Sequence, residues 1–398
     1  MLLGGIAEDA SRIQEPLLSL DCKSTLGCLR SLGVGFEADP SGSLIVHPPK
    51  GWSQPEAPLD CGNSGTTMRL LSGLVASRPL EAVLVGDESL SRRPMRRIAD
   101  PLRAMGAGVE GDTPPLKISG SAELRGIDFQ SPVASAQVKS CVLLAGLRAS
   151  GSTSVEEPLP TRDHTERMLS GLGVEVQRES ETKVRITGGS PVPGFEFLVP
   201  ADFSSAAFFV CAAAAREGSA LLLRNVGLNP TRTGLLDILD QIGARYEVRD
   251  LRDTLGEPVG DLWVEGRASL SPYRLSGSLV PRLIDEIPVL AVLATQLNGV
   301  STIRNAEELR VKESDRIRKA VEGLRAMGAK VEEYPDGMDI EGPVRLSGAV
   351  IDPEGDHRIA MAFAIAAGYA KSEVVIRNAE TIETSYPGFL DDLRKLQT

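Results

Sequence analysis

Apolar and polar positions alternate in a definite order between Ser301 and Glu332. Ser301 to Asn305 reads as a strand, and Leu309 to Arg316 as a charged loop. Ile317, Val321, Leu324 and Met327 then recur at spacings of four, three and three, which puts them on one face of a helix. Gly328 is placed to end that helix, because glycine takes the left-handed cap without steric cost. Ala329 to Glu332 opens another strand. A charged run such as Lys312, Glu313 and Arg316, taken alone, reads as a solvated, ion-paired helix start. Its recurrence along the chain changes that reading.

The same helix end, with a glycine and then a strand, appears at Cys28–Val34, Pro101–Ala107, Met168–Val174, Ile238–Ala244 and Leu324–Lys330. The glycines Gly33, Gly106, Gly173, Gly243 and Gly328 follow one another at intervals of 73, 67, 70 and 85 residues. That period exceeds the common solenoid repeats and suits a unit of two helices and several strands. Between these copies lies a second element, polar at its start and then small and apolar. It begins at Asn63-Ser64-Gly65-Thr66, Ser135-Ala136-Gln137, Asp202-Phe203-Ser204-Ser205, Asp285-Glu286 and Asp356-His357-Arg358. Helices apolar nearly all round, such as Ala206 to Ala215 and Ile359 to Ala370, are expected to be buried. Their first turns offer free N–H groups and a positive dipole end, which suit an anion. Ser, Asn and Asp are also ordinary caps, and plain capping is the expectation for Asp202.

Gly188 to Gly194 has loop composition, and Phe195 to Val199 reads as a short strand before Pro200. The expected boundary is therefore near 200. It gives an N-terminal lobe over 1–199 and a C-terminal lobe over 200–398, each with about three repeats. Strands and helices mix throughout, so the fold class is α/β.

Composition narrows the choice. The chain has 398 residues, 42% of them hydrophobic and only 4% aromatic, so large cores of small and aliphatic side chains are expected. A net charge of -11 argues against a general nucleic-acid binder. No apolar run reaches membrane-spanning length, and no signal peptide is visible. Cys22, Cys28, Cys61, Cys141 and Cys211 show no C-x-x-C spacing, and the three histidines are dispersed. No metal site is expected, and reduced thiols fit a cytoplasmic protein.

Six motifs now stand in order on this frame: Gly62-Asn63-Ser64-Gly65-Thr66-Thr67-Met68-Arg69, Arg93-Pro94-Met95, Ser135-Ala136-Gln137-Val138-Lys139-Ser140, Thr161-Arg162-Asp163-His164-Thr165-Glu166, Arg310-Val311-Lys312-Glu313-Ser314-Asp315-Arg316 and Asp356-His357-Arg358. Together they resemble the 5-enolpyruvylshikimate-3-phosphate synthase family of enolpyruvyl transferases over nearly the whole chain. The resemblance implies two inside-out α/β barrel-like domains of about six repeated units, closing at a hinge and cleft. It implies transfer of the enolpyruvyl group of phosphoenolpyruvate to the 5-hydroxyl of shikimate 3-phosphate, with release of phosphate. No cofactor is implied, and a monomer is expected.

Residue by residue, Gly65, Arg93, Gln137, Arg316 and Arg358 resemble the family's phosphoenolpyruvate site. Guanidinium forks match phosphate and carboxylate. Ser135, Ala136, Gln137, Arg162, Asp285 and Lys312 resemble the shikimate 3-phosphate contacts. Asp285 and Glu313 resemble the carboxylates that move protons, since the 5-hydroxyl needs a base and the methylene carbon an acid. Which does which stays open. His164 and His357 are expected to be structural. The Ser-Ala-Gln and Thr-Arg-Asp-His forms resemble the branch often tolerant of glyphosate, whereas Gly65 is the glycine of the sensitive form, so that response stays open.

The nearest alternative is UDP-N-acetylglucosamine enolpyruvyl transferase. That family carries a reactive cysteine in a loop before an Arg-Pro, and Gly86–Pro94 here contains none. A non-catalytic phosphate-ligand binder of the same fold is the other alternative. One departure concerns the start. Stepping back from Asn63 by the 72 residues that separate it from Ser135 falls at -9, upstream of Met1. Leu2 to Glu8 reads as the tail of a helix, and Ser11 to Ile13 as the strand after it. The expectation is that the family's Lys-Ser segment is lacking and that the chain folds but turns over poorly.

Overall fold

A computed structural model describes residues 1–396. The chain forms two compact units. The first comprises Met1–Val199 with Thr254–Glu257, and the second Pro200–Asp253 with Pro258 onward.

One repeat builds both. A strand enters a buried helix, which crosses over to a second strand parallel to the first. An outer helix and an antiparallel hairpin follow, and the last strand of the hairpin pairs with the second strand. In the first unit Leu59–Asp60 lies parallel to Glu81–Val85, which is antiparallel to Leu116–Ser119 and so linked to Gly108–Glu110. Asp128–Gln130, Ser152–Glu156, Lys183–Thr187 and Val176–Arg178 repeat the order. In the third sheet Glu196–Leu198 takes the first place beside Ser11–Gln14, ahead of Leu44–His47 and Gly35–Ala38.

The second unit follows the same plan, with one complete copy and two reduced ones. Arg274–Leu275, Gly299–Ile303, Gly337–Gly342 and Lys330–Tyr334 form a complete copy. Around Ala220–Gly227, Glu257–Glu265 and Arg245–Thr254 the first strand shrinks to a parallel bridge from Ala201 to Val226. Val350–Ile351 and Val375–Ile376 form a parallel pair. Parallel neighbours need a crossover connection, and a helix is the shortest way to cover the sheet while making it.

The buried helices are Gly65–Ala76, Ala136–Gly146, Phe203–Ala214, Ile287–Ala294 and His357–Ala367. Their small residues let backbones close up. A Cβ on Gly73 would stand 2.2 Å from the Cys141 carbonyl oxygen of the neighbouring helix. The outer helix Arg316–Ala326 turns Ile317, Val321 and Leu324 fully inward, with Met327 just beyond it. All five expected capping glycines, Gly33, Gly106, Gly173, Gly243 and Gly328, have positive φ, so each outer helix turns into its hairpin through a left-handed residue. Each unit has its own apolar cluster.

Two expectations change in detail. Leu2–Glu8 contains only a 3-10 turn, Gly4–Ile6, before the strand Ser11–Gln14. Asp285 does not start a helix by capping it. It sits inside the 3-10 turn Ile284–Glu286, and the helix Ile287–Ala294 follows with no side-chain cap. No helix among the described residues is long and apolar enough to cross a membrane. The five cysteines are free thiols.

Candidate active-site residues

In the first unit, cations gather over the start of the helix Gly65–Ala76. Ser64 caps it, accepting from the Thr67 N–H at 3.2 Å. Arg93 follows a 3-10 turn after the strand Glu81–Val85 and donates to Asn63 Oδ1 at 3.0 Å. Asn63 in turn donates to Asp87 at 2.7 Å. Arg69, one helical turn beyond Gly65, donates to the Gln137 carbonyl, and Gln137 Nε2 donates to Thr66 Oγ1 at 2.7 Å. A Cβ on Gly65 would lie 3.1 Å from Nη1 of both Arg69 and Arg93. Gly65, Arg93 and Gln137 are therefore brought together as expected, with Arg69 added. Arg69 stood inside the first motif, and its spacing from Gly65 could have marked it.

Ser135 caps the helix Ala136–Gly146, which carries Ala136 and Gln137 in its first turn. Arg162 lies in the loop before the helix His164–Gly171. His164 Nδ1 pairs with Glu257 at 2.7 Å.

In the second unit the charged run is no solvated helix start. Arg316 is 1% exposed and donates to three carboxylates: Nε to Asp356 at 2.8 Å, Nη1 to Asp285 at 3.1 Å and Nη2 to Glu313 at 2.6 Å. Burial works against its charge, but Asp356, Glu313 and Asp285 outweigh that and raise its pKa above the ordinary arginine value. Asp356, itself fully buried, also caps the helix His357–Ala367 by accepting from the Arg358 N–H at 2.9 Å. Arg358 Nε stands 3.8 Å from Asp285. Lys312 is half-buried at the end of the turn Glu307–Val311, and Asp315 rather than Glu313 caps the outer helix.

Asp202 does more than cap Ser205. It pairs with Arg232 at 2.9 Å, and Arg232 also donates to the Ser204 hydroxyl, which donates to buried Glu286. Burial alone would raise the Asp202 pKa, but Arg232 and Arg358 bring it down to about 2. Arg232 is a cation that sequence reasoning passed over. It follows Asp202 at nearly the interval by which Arg93 follows Ser64, so the repeat carried the signal.

His357 is pushed down to about 4, first by burial and then by the Arg358 charge, which makes it a neutral imidazole at pH 7. Its pKa is depressed on folding, so the unfolded chain binds the extra proton first. The stability this residue gives is complete above about 6.5 and is lost as pH falls toward 4. The expected loss over that window is about 3 kcal/mol. Urea melts of the parent and His357→Gln at pH 7 and pH 4.5 check this. Equal pH slopes in the two chains would show that His357 does not carry the effect.

No group of three or more His, Cys, Asp or Glu side chains among the described residues is arranged to hold a metal ion. The chemistry available is cationic capture of anions at helix starts, with carboxylates bound to the same guanidinium.

A repeat-built α/β fold with these guanidinium and carboxylate clusters marks an enolpyruvyl transferase architecture. The chain superposes on the enolpyruvyl transferase NikO from Streptomyces tendae with a TM-score of 0.81 over 99% of this chain and 91% of that one, at 18% identity, a likeness of fold. An EPSP synthase from Acinetobacter baumannii gives a TM-score of 0.88 at 42% identity, covering 99% of this chain and 92% of that chain. The 3-phosphoshikimate 1-carboxyvinyltransferases of Brevibacillus brevis and Bacillus subtilis are 48% and 46% identical, over all of this chain and 93% of theirs. The family profile of EPSP synthase (3-phosphoshikimate 1-carboxyvinyltransferase) matches residues 1–393, and the chain belongs to that family.

Proposed function

We propose that the chain transfers the enolpyruvyl group of phosphoenolpyruvate to the 5-hydroxyl of shikimate 3-phosphate, releasing phosphate, as a step toward aromatic amino acids. The carrying observation is that Asp285 and Glu313 bind the same buried guanidinium, Arg316, with Arg358 alongside. A binder of anions alone gains nothing from carboxylates there, since they repel its ligand. A transferase needs them, because one proton must leave the hydroxyl and another must reach carbon.

The assignment of roles follows the two units. In the first, Gly65, Arg93 and Gln137 serve phosphoenolpyruvate, and Ser135, Ala136, Gln137 and Arg162 serve shikimate 3-phosphate. In the second, Arg316 and Arg358 serve the donor, Asp285 and Lys312 the acceptor, and Asp285 and Glu313 the proton transfers. The two units are assigned as the N-terminal and C-terminal enolpyruvyl transferase lobes. Five free thiols support a reducing, cytoplasmic setting. The chain is taken as a monomer, which sedimentation will check.

Phosphate release should require both phosphoenolpyruvate and shikimate 3-phosphate. Release with UDP-N-acetylglucosamine in place of the shikimate ester would reassign the acceptor. Tight binding of both substrates without release would make the chain a binder. Within this scheme Gly65→Ala is expected to raise the KM for phosphoenolpyruvate about tenfold. The added methyl makes both guanidinium groups give way by a few tenths of an ångström, and a charge-assisted bond displaced in this way costs on the order of 1.5 kcal/mol. The KM for shikimate 3-phosphate should change less than about twofold. An unchanged donor KM would remove Gly65 from the donor site.

A further inference from the structure

Glu157 directly follows the strand Ser152–Glu156, and its side chain is 1% exposed. Its carboxylate meets three groups. Oε1 accepts the backbone N–H of Ser135 at 3.0 Å. The Thr161 hydroxyl lies 2.8 Å from Oε1 and 2.7 Å from Oε2. The Lys139 ammonium lies 2.8 Å from Oε2 and reaches Glu166 at 2.9 Å. These partners flank the acceptor residues. Ser135 caps the helix bearing Ala136 and Gln137. Thr161 immediately precedes Arg162. On the other side of Arg162, buried Asp163 pairs with Arg167 at 2.8 Å and Arg178 at 2.7 Å. Arg162 thus stands between two anchored neighbours, and one anchor is the carboxylate that also holds the Ser135 backbone.

Stability alone does not account for this cluster. Lys139 sits on a helix whose other buried residues are mostly apolar. Apolar residues at all three of Lys139, Glu157 and Glu166 would avoid the desolvation of three charges, and replacing a whole buried triad in that way is often neutral or stabilising. Glu166 Oε2 is buried with no hydrogen-bond partner, and burial raises the Glu166 pKa. Energy is being spent on a fixed geometry. A second tie joins the same two segments, the Ser140 and Thr165 hydroxyls at 2.7 Å.

We propose that Glu157 is a positioning residue for the acceptor subsite. It sets the distance between the start of the helix Ala136–Gly146 and Arg162, with Lys139 as its counter-charge, so that both grip one phosphorylated polyol. The proposal rests on the assignment of Ser135 and Arg162 to shikimate 3-phosphate. Neither Glu157 nor Lys139 touches the ligand in this scheme. They act through the segments they hold.

Removing Glu157 or Lys139 strands buried charge and endangers folding, so the test uses Thr161, whose hydroxyl is one of the ties. Thr161→Val keeps shape and loses the bond. Thr161→Ser keeps the bond. Steady-state kinetics in each substrate and thermal melts are read for both, with Arg162→Met as the control for the underlying assignment. The expected result is a rise of about five- to tenfold in the KM for shikimate 3-phosphate in Thr161→Val, as the loss of one hydrogen bond implies. The KM for phosphoenolpyruvate should stay near the parent, the melting midpoint should fall by only a few degrees because Glu157 keeps Ser135 and Lys139, and Thr161→Ser should restore the parent values. If Thr161→Val leaves the acceptor KM unchanged while Arg162→Met raises it, or if it raises both KM values alike, Glu157 does not position the subsite. If Arg162→Met leaves the acceptor KM unchanged, the assignment of Arg162 itself fails, and the positioning role falls with it.

Discussion

Arg316→Met is expected to lower the thermal midpoint of the second unit by roughly 6–20 °C, the largest loss for any single substitution considered. The reasoning starts from burial. The Arg316 side chain is 1% exposed, and Asp356 beside it is fully buried. Asp285 and Glu313 are little more exposed. In water three carboxylates tolerate each other, because the solvent screens them. Here the guanidinium supplies most of that screening through Nε, Nη1 and Nη2. Methionine fills the volume and removes the charge, leaving the acids close together without their shared donor. Breaking a buried ion pair by removing one partner costs about 3–5 kcal/mol. For a unit of roughly 200 residues each kcal/mol moves the midpoint by about 2–4 °C. Calorimetry on the parent, Arg316→Met and Arg316→Lys gives the answer. Lysine keeps the charge and loses the fork, so it should fall between the other two. A methionine variant that melts within about 2 °C of the parent would show that the carboxylates do not depend on Arg316.

Asp285→Asn is expected to cut turnover by about 10²- to 10⁴-fold, the range that one general acid or base contributes. Asparagine keeps the size and an oxygen for the Arg316 Nη1 donor, so the cluster should persist and the melting midpoint should move far less than in Arg316→Met. Affinity for shikimate 3-phosphate, measured by titration calorimetry without the donor, should stay within a few-fold of the parent. Glu313→Gln under the same assay separates the two carboxylates. The one whose loss removes a limb of the pH–rate profile is the group that titrates in the limiting step. Turnover of Asp285→Asn within about tenfold of the parent would leave Asp285 as a structural partner of Arg316 only.

Much of the frame could be read from the chain because the physics that sets it is local. Gly33, Gly106, Gly173, Gly243 and Gly328 all end outer helices with positive φ, since a residue that must turn left-handed is most cheaply glycine. Ser64, Ser135, Asp202 and Asp356 cap buried helices, since each side chain needs only to reach the N–H groups of its own first turn. The burial of those helices follows from side chains that are small and apolar on every face. The six motifs named the family, and the comparisons place the chain in it.

Charge behaved differently. Nothing local told Asp285 to leave the capping role and turn to Arg316, thirty-one residues on. Nothing in the run Lys312–Arg316 distinguished a solvated helix start from a guanidinium enclosed by three acids. Glu157 belonged to no motif, yet it ties Ser135 to Thr161, and Arg232 was passed over although it pairs with Asp202. The reason is the reach of the two kinds of force. Caps, turns and hydrophobic periodicity act over a few residues, so the order of residues determined them. The strength of a charge depends on how much water is displaced around it and on which opposite charges the fold brings within a few ångströms. The tertiary structure alone decided that, by packing distant segments against Arg316 in one unit and Glu157 in the other.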